Sequence, residues 1–391
     1  MLKLIDHSLC SGCGACAYIC PKRCISIREN ELGVLLPFIN HDNCVECGKC
    51  RQVCPALNPV ELKNPIKAYA AQSADFKTAN NGASGGIASE IYYKALNDGY
   101  SIVGASFDDD FVVKLKLTKN ADEIILFQNS KYVFSEIYDL YEKIKKLLNN
   151  GEKAVIIALP CQIAAIKKVF RGAHDLFFVD IVCHGTTPYS YLRQHIEHIE
   201  RKYERKAVQC YFRDPQLGTN TFTFSLYDRN ANRFYSKKTK DGDTYQYGYH
   251  RHISYRENCY NCPYAKSQRV GDITIADFPG LNREIRFNNS RKNISCVLIN
   301  SERGLDYIND LLSNKKINLC ERPIDEAING NSQLRLPTDR PKYRDKFIHK
   351  MLMTKNDFEK SMVMLMYKGL ITERVKKISA LPVRVLRKII K

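Results

Sequence analysis

From residue 66 onward the chain alternates short apolar runs with polar turns and with stretches whose apolar positions recur every three or four residues. "IKAYAAQ" (66–72) reads as a strand, "NNGASGG" (80–86) as a turn, and Ile87, Ile91, Tyr92, Ala95 and Leu96 then fall on one face of a helix. "YSIVGASF" and "FVVKLKLT" are a predicted antiparallel pair around an acidic turn. "KAVIIA" (153–158), "LPCQIAAIKKVF" and "LFFVDIV" (176–182) predict strand, helix and strand, a β-α-β unit. "FRDPQLGTNTFTFSLYDRNANRFYS" reads as strands and turns, and "GDITIADFPG" as an alternating strand ending in Asp277.

The first sixty residues are organised by cysteines instead. "CSGCGACAYICP" (Cys10, Cys13, Cys16, Cys20) and "CVECGKCRQVCP" (Cys44, Cys47, Cys50, Cys54) both match C-x2-C-x2-C-x3-C-P. In that run three thiolates hold one cubane and the fourth crosses to the other. The spacing therefore assigns Cys10, Cys13, Cys16 and Cys54 to one [4Fe-4S] cluster and Cys44, Cys47, Cys50 and Cys20 to a second. Zinc also takes four cysteines from paired Cys-x-x-Cys motifs, but two complete runs each closed by proline fit it poorly. Cys24 lies outside the pattern and reads as apolar filler. The Pro-rich, polar "NPVELKNP" (58–65) reads as a linker.

Composition narrows the class. With 391 residues, 44% of them apolar, the chain can bury substantial cores. Its first residues leave no room for a signal peptide before Cys10, and no apolar run approaches spanning length, so a cytoplasmic protein with reduced thiols is expected. The net charge of +18 is concentrated at the end: Arg340 to Lys391 hold fifteen Lys or Arg against four Asp or Glu. No nucleic-acid motif accompanies this excess, so nucleic acid is not an expected partner. "LITERVKKISALPVRVLRKIIK" (370–391) reads as a basic amphipathic helix. It either docks on its own protein, the preferred reading, or makes peripheral contact with an anionic membrane surface.

Seven cysteines remain: Cys161, Cys183, Cys210, Cys259, Cys262, Cys296 and Cys320. Cys161 falls at the strand-to-helix turn of the β-α-β unit and Cys183 at the end of its second strand, the edge where open α/β sheets gather ligands. Together with Cys259 and Cys262 of "CYNC" they form a candidate third cluster. Structural zinc, a redox dithiol at Cys259 and Cys262, or a Cys161 nucleophile with His184 as base are the alternatives. Cys210, Cys296 and Cys320 read as core residues. The Gly pair before the predicted helix favours a phosphate, and a chain bearing one-electron clusters needs a two-electron converter such as flavin.

Taken in order, "ASGGIAS", "NSKYVFS", "LPCQIAAIK", "DIVCHGTTP", "FRD" and "CYNCPYAKSQRVGDITIADFPG" resemble the family of coenzyme F420 hydrogenase/dehydrogenase beta subunits. The likeness is to bacterial members with an N-terminal two-cluster ferredoxin domain, and it covers roughly residues 1 to 350. The resemblance implies FAD, with Ser84, Gly85 and Gly86 contacting the nucleotide and Lys131 and Tyr132 lining the flavin site. It also implies a cluster held by cysteines of the large domain, a soluble acceptor that is a deazaflavin in archaeal relatives, and a plausible role beside polysaccharide-biosynthesis enzymes. Departures at Leu159, at Pro279 and at "QLGTN" lie near the expected acceptor surface and point away from coenzyme F420 itself.

The expected architecture is an α+β ferredoxin-like N-terminal domain (1–60) followed by an α/β domain with a mixed sheet, in two parts (61–150 and 151–335), and a basic helical tail (336–391). The expected function is an iron-sulfur flavoprotein oxidoreductase that passes electrons between [4Fe-4S] clusters and FAD to a redox partner protein or small-molecule acceptor. His184 and Asp277 are the candidates for proton transfer. The alternatives are an electron-transfer subunit without its own substrate site, or a redox or zinc-binding partner protein.

Overall fold

The computed structural model describes residues 4–282 and 293–366. Near the N-terminus β1 (Ile25–Glu29) and β2 (Leu35–Ile39) pair antiparallel beside two short helices, Ala15–Ile19 and Lys49–Gln52, each of which begins within a cysteine run. Gly14 and Gly48 precede those helices with φ of 73° and 74°, a left-handed turn that glycine adopts without steric cost.

The rest of the sheet strands are β3 (Lys67–Ser73), β4 (Ser101–Phe107), β5 (Val113–Thr118), β6 (Ser135–Glu136), β7 (Ala154–Ala158) and β8 (Leu176–Ile181). There follow β9 (Gln209–Tyr211), β10 (Thr223–Tyr227), β11 (Arg233–Lys238), β12 (Ile273–Asp277), β13 (Ser295–Ile299) and β14 (Ile317–Arg322). Nine of them form one mixed sheet in the order β14-β3-β13-β12-β8-β7-β4-β5-β6, and β11-β10-β9 form a small antiparallel sheet. The expected β-α-β unit is present: β7 and β8 run parallel, joined by the helix Pro160–Val169.

Alternation along the central strands explains the layering. Ile156, Ala158 and Phe178 face one side, against the helices Tyr138–Asn149 and Pro160–Val169. Val155, Ile157 and Val179 face the other, against Ile87–Asn97 and Glu302–Ser313. Both faces are covered, which is why these strands read as unbroken apolar runs rather than as polar and apolar in turn.

The N-terminal region is docked, not tethered. Ala15 and Val53 belong to the same apolar cluster as Leu140, Tyr141 and Ile163 of the large domain. The Tyr138 hydroxyl donates to Gly12 O (3.1 Å), that of Tyr141 donates to Cys13 O (2.9 Å), and the Tyr18 and Tyr141 rings stack at 5.0 Å.

The proposed tail from residue 336 needs correction. The helix Arg344–Met353 and helical residues 358–366 place Phe347, Met351, Phe358 and Met362 in the core with Tyr191, Phe212 and Tyr245. Full burial of each such side chain stabilises by about 1.5–3 kcal/mol, so this segment is integral to the domain. His195 anchors it, with Nδ1 2.5 Å from Glu359 Oε1 and Nε2 3.0 Å from Asp243 Oδ2. Burial alone would lower the His195 pKa, but Asp243 and then Glu359 raise it to about 10. The basic stretch 370–391 lies outside the described residues. Among the described residues no helix is long and apolar enough to cross a membrane.

Candidate functional site

Three cavities hold the cysteines. Cys10, Cys13, Cys16 and Cys54, with Cys50, line one of about 30 Å³. Cys20, Cys44, Cys47 and Cys50, with Cys24, line a second of about 10 Å³. A third, of about 60 Å³, is lined by Cys161, Cys183, Cys259 and Cys262. The third shares Ser11, Pro55 and Ala56 as a common wall with the first; Cys50 borders both the first and the second. The order in space is therefore third, first, second.

Local structure explains how four distant cysteines reach the third cavity. Cys161 enters one residue into the helix after β7, whose position is fixed by Gln162: its Nε2 donates to Ser135 O and its Oε1 accepts from Leu159 N. Cys183 follows the end of β8. The turn carrying Cys259 and Cys262 is tied to β8 by Arg269, whose Nε and Nη2 bond Asp180 Oδ1 at 3.1 and 2.6 Å and whose Nη1 donates to Tyr264 O. Asp180 also accepts from the amides of Val270 and Gly271. Gly185 leaves room for the ring of Tyr255: a Cβ there would lie 2.3 Å from it.

Electrostatics confirm the proximity of these thiols. Burial, then Cys262, Cys183 and Cys259, raise the Cys161 pKa well above the usual thiol value, and burial with Cys259 pushes Cys262 up to about 11. A thiol so raised is a poor nucleophile, which counts against the Cys161 and His184 pairing. Thr186 N donates to Cys259 Sγ (3.4 Å) and Gly12 N to Cys10 Sγ (3.4 Å), the kind of N–H to sulfur bond that tunes cluster potentials. Among the described residues, no three His, Cys, Asp or Glu side chains converge tightly enough to hold a single ion.

Of the other cysteines, Cys210 and Cys296 are buried as expected, while Cys320 is only partly buried on the edge strand β14. Cys24 is buried too, but its Sγ lies 3.4 Å from Cys20 Sγ at the second cavity rather than apart from it.

The flavin candidates fall into two groups. Gly85 N donates to Ser295 Oγ (2.8 Å) and Ser84 Oγ to Ile294 O (2.8 Å). A Cβ on Gly85 would lie 2.4 Å from Ala71 O, and one on Gly86 2.8 Å from Thr78 O. Internal packing thus accounts for both glycines, and the Gly85 amide is already engaged, which removes it as a phosphate donor. The second group is more open. Gln128 Nε2 donates to Ser89 Oγ in the first turn of the helix after Gly86, and Asn129 Nδ2 to Arg213 O. Arg213 Nη1 pairs with Asp277 Oδ2 at 2.8 Å, and Tyr132 stacks on Tyr249 at 4.5 Å. "ASGGIAS", "NSKY", "FRD" and "IADF" therefore meet. Burial lowers the Lys131 pKa to about 8, and its Nζ donates to Gln128 O. The Nε2 of His250, whose ring meets that of Tyr132 edge-on, is buried and has no hydrogen-bond partner among the described residues. His184 stands beside this group; close packing and then His252 lower its pKa, while Asp277 opposes the shift.

Residues 9–58 match the family model "4Fe-4S dicluster domain", and residues 151–324 match the family model for the C terminus of the coenzyme F420 hydrogenase/dehydrogenase beta subunit. Over 194 residues the chain is 23% identical to the F subunit of F(420)H(2) dehydrogenase from Methanosarcina mazei, covering 46% of this chain and 55% of that protein. Over 181 residues it is 24% identical to coenzyme F420-dependent sulfite reductase of Methanocaldococcus jannaschii, covering 44% of this chain and 28% of that protein. The chain thus spans about half the length of the first relative and less of the second. The F420-reducing [NiFe] hydrogenase complex from Methanosarcina barkeri contains a chain of 16% identity and TM-score 0.45, with 78% of this chain and 93% of that chain covered, a likeness too low to bear on the fold. The cysteine runs and the matched region 9–58 mark an iron-sulfur protein. Residues 151–324 are thus similar to the C-terminal part of coenzyme F420 hydrogenase/dehydrogenase beta subunits, and residues 9–58 to a 4Fe-4S dicluster domain.

Proposed function

We propose that this chain is an iron-sulfur flavoprotein in which two ferredoxin clusters and a third cluster, held by Cys161, Cys183, Cys259 and Cys262, relay electrons to or from FAD. The observation that carries the reading is the row of three cavities, each lined by four assigned cysteines and each sharing a wall with the next. Lys131, Tyr132, Arg213 and His250 would hold the flavin, the unpartnered His250 Nε2 offering it a hydrogen bond. Flavin would supply the exchange between one-electron and two-electron steps. His184, which feels the charge of Asp277, is suited to hold or accept a proton at the rim of that group. The acceptor is a soluble molecule or a redox partner protein; a role beside polysaccharide-building enzymes rests on the resemblance alone.

A second reading, an electron-transfer subunit that serves a partner's substrate site, is favoured by the exposure of Cys47 and Val45 at the second cavity, where another protein could dock. Iron, acid-labile sulfide, zinc and flavin measured on one anaerobic preparation test the proposal. About twelve irons and one flavin, falling to about eight irons in Cys259→Ser/Cys262→Ser, are expected. About eight irons with one zinc would overturn the third cluster, and absence of flavin would leave the subunit reading. Reduction of a small molecule by the isolated chain supplied with dithionite separates the two readings.

A further inference from the structure

Arg256 is 2% exposed, yet among the described residues no carboxylate pairs with it and its Nε has no hydrogen-bond partner. A buried, unpaired guanidinium is costly unless another negative charge compensates it. Its surroundings indicate which charge. Arg256 lines the third cavity. Its Nη1 donates to Ser11 O at 2.7 Å and its Nη2 to Leu35 O at 3.4 Å, which puts the head group at the wall of the first cavity. A Cβ on Gly12 would lie 2.5 Å from Nη2, so the cysteine run is shaped around it. The backbone of Arg256 donates to Thr186 O, the residue whose amide bonds Cys259 Sγ, and its guanidinium lies 4.2 Å from the Phe134 ring centre.

We infer that Arg256 is a positioning residue for electron transfer, a fixed positive charge between the first and third clusters that raises both reduction potentials relative to the second. The inference rests on the reading of those cavities as cluster sites. One-electron reduction of a thiolate-bound cubane adds a negative charge without breaking or making a bond, and a cation held in a low-dielectric wall favours the reduced form. The second cavity, bordered by Cys20, Cys44 and Cys47, does not include Arg256 and serves as an internal reference.

The test is a dithionite titration of the full chain, followed by electron paramagnetic resonance, with iron counted on each sample. Arg256→Gln is expected to lower the reduced-to-oxidised ratio of the first and third clusters about tenfold at a fixed potential, which is about 59 mV for one electron. The second cluster should keep its midpoint. Arg256→Lys, which retains the charge, should hold all midpoints near those of the parent chain. A Gln variant with full iron and unchanged midpoints would overturn the inference, as would equal shifts in all three clusters. If the Gln variant loses iron, the Lys variant decides: full iron with the tenfold loss sinks the charge argument, and unchanged midpoints sustain it. A parent chain with about eight irons would mean that the third-cluster reading had failed, while the shift of the first cluster would still be read.

Discussion

The two cysteine runs share one spacing and one backbone turn, yet they occupy different surroundings. The first is packed against the large domain: a Cβ on Gly14 would lie 2.5 Å from the Tyr138 ring. At the matching place in the second run, a Cβ on Gly48 would meet nothing within 4 Å. The first cavity shares a wall with the third, whereas the second run leaves Cys47 and Val45 exposed. Identical local chemistry has been given an inward and an outward position, which suits a relay with one buried and one accessible end.

The largest way to disturb the inward end lies at its far wall. Asp180→Ala strands the buried Arg269 charge and should cost about 3–5 kcal/mol. Thermal unfolding should register that loss, and iron analysis should show the third site emptied while the outer run keeps its irons. Next comes the glycine pair. Gly14→Ala combines a left-handed backbone penalty of about 1–2 kcal/mol with overpacking of about 1–3 kcal/mol. Gly48→Ala carries only the backbone penalty, about 1–2 kcal/mol. Urea titration of the visible cluster absorbance should rank them in that order; equal losses would mean that docking does not distinguish the runs.

Tyr141→Phe leaves the Cys13 carbonyl without its donor and should cost about 1–3 kcal/mol, whereas truncation of exposed Val45 to Ala should stay within about 0.5 kcal/mol. The smallest effect on the difference between the two runs is expected from a control remote from both, whatever it costs in stability. His195 has a folded pKa raised from 6.5 to about 10, so its charged pairing contributes fully below pH 6.5 and is lost as pH rises toward and through 10. His195→Gln should flatten that alkaline decline in unfolding measurements without altering the difference between Gly14→Ala and Gly48→Ala.

Periodicity made the sheet legible. β3, β4, β5, the β7 to β8 unit and β12 all stand where apolar runs and turns put them, because both faces of the central strands are covered. The cysteine runs were legible because three of each cluster's four ligands lie within one short run and the crossed fourth ligand comes from a second run of the same spacing. What could not be read is what joins distant segments. Tyr138 and Tyr141 look like ordinary helix positions until they meet Gly12 and Cys13, and Arg269 looks like a surface charge until it meets Asp180. The residues after 336 were misread because basic charge outweighed the spacing of Phe347, Met351, Phe358 and Met362, which marks a buried face. Arg256 stood beside "CYNC" in plain view, but neither a partner nor a period singled it out.

The common wall of Ser11, Pro55 and Ala56 also joins parts of the protein made at different times during translation. All eight cysteines of the two runs have been synthesised by Cys54, whereas the cavity across the wall still awaits Cys262 and the strands that frame it. On the proposed three-cluster reading, biogenesis is therefore staggered: iron delivered to the nascent chain finds the N-terminal ligands first, and the last site is completed only after the later half has folded back over them.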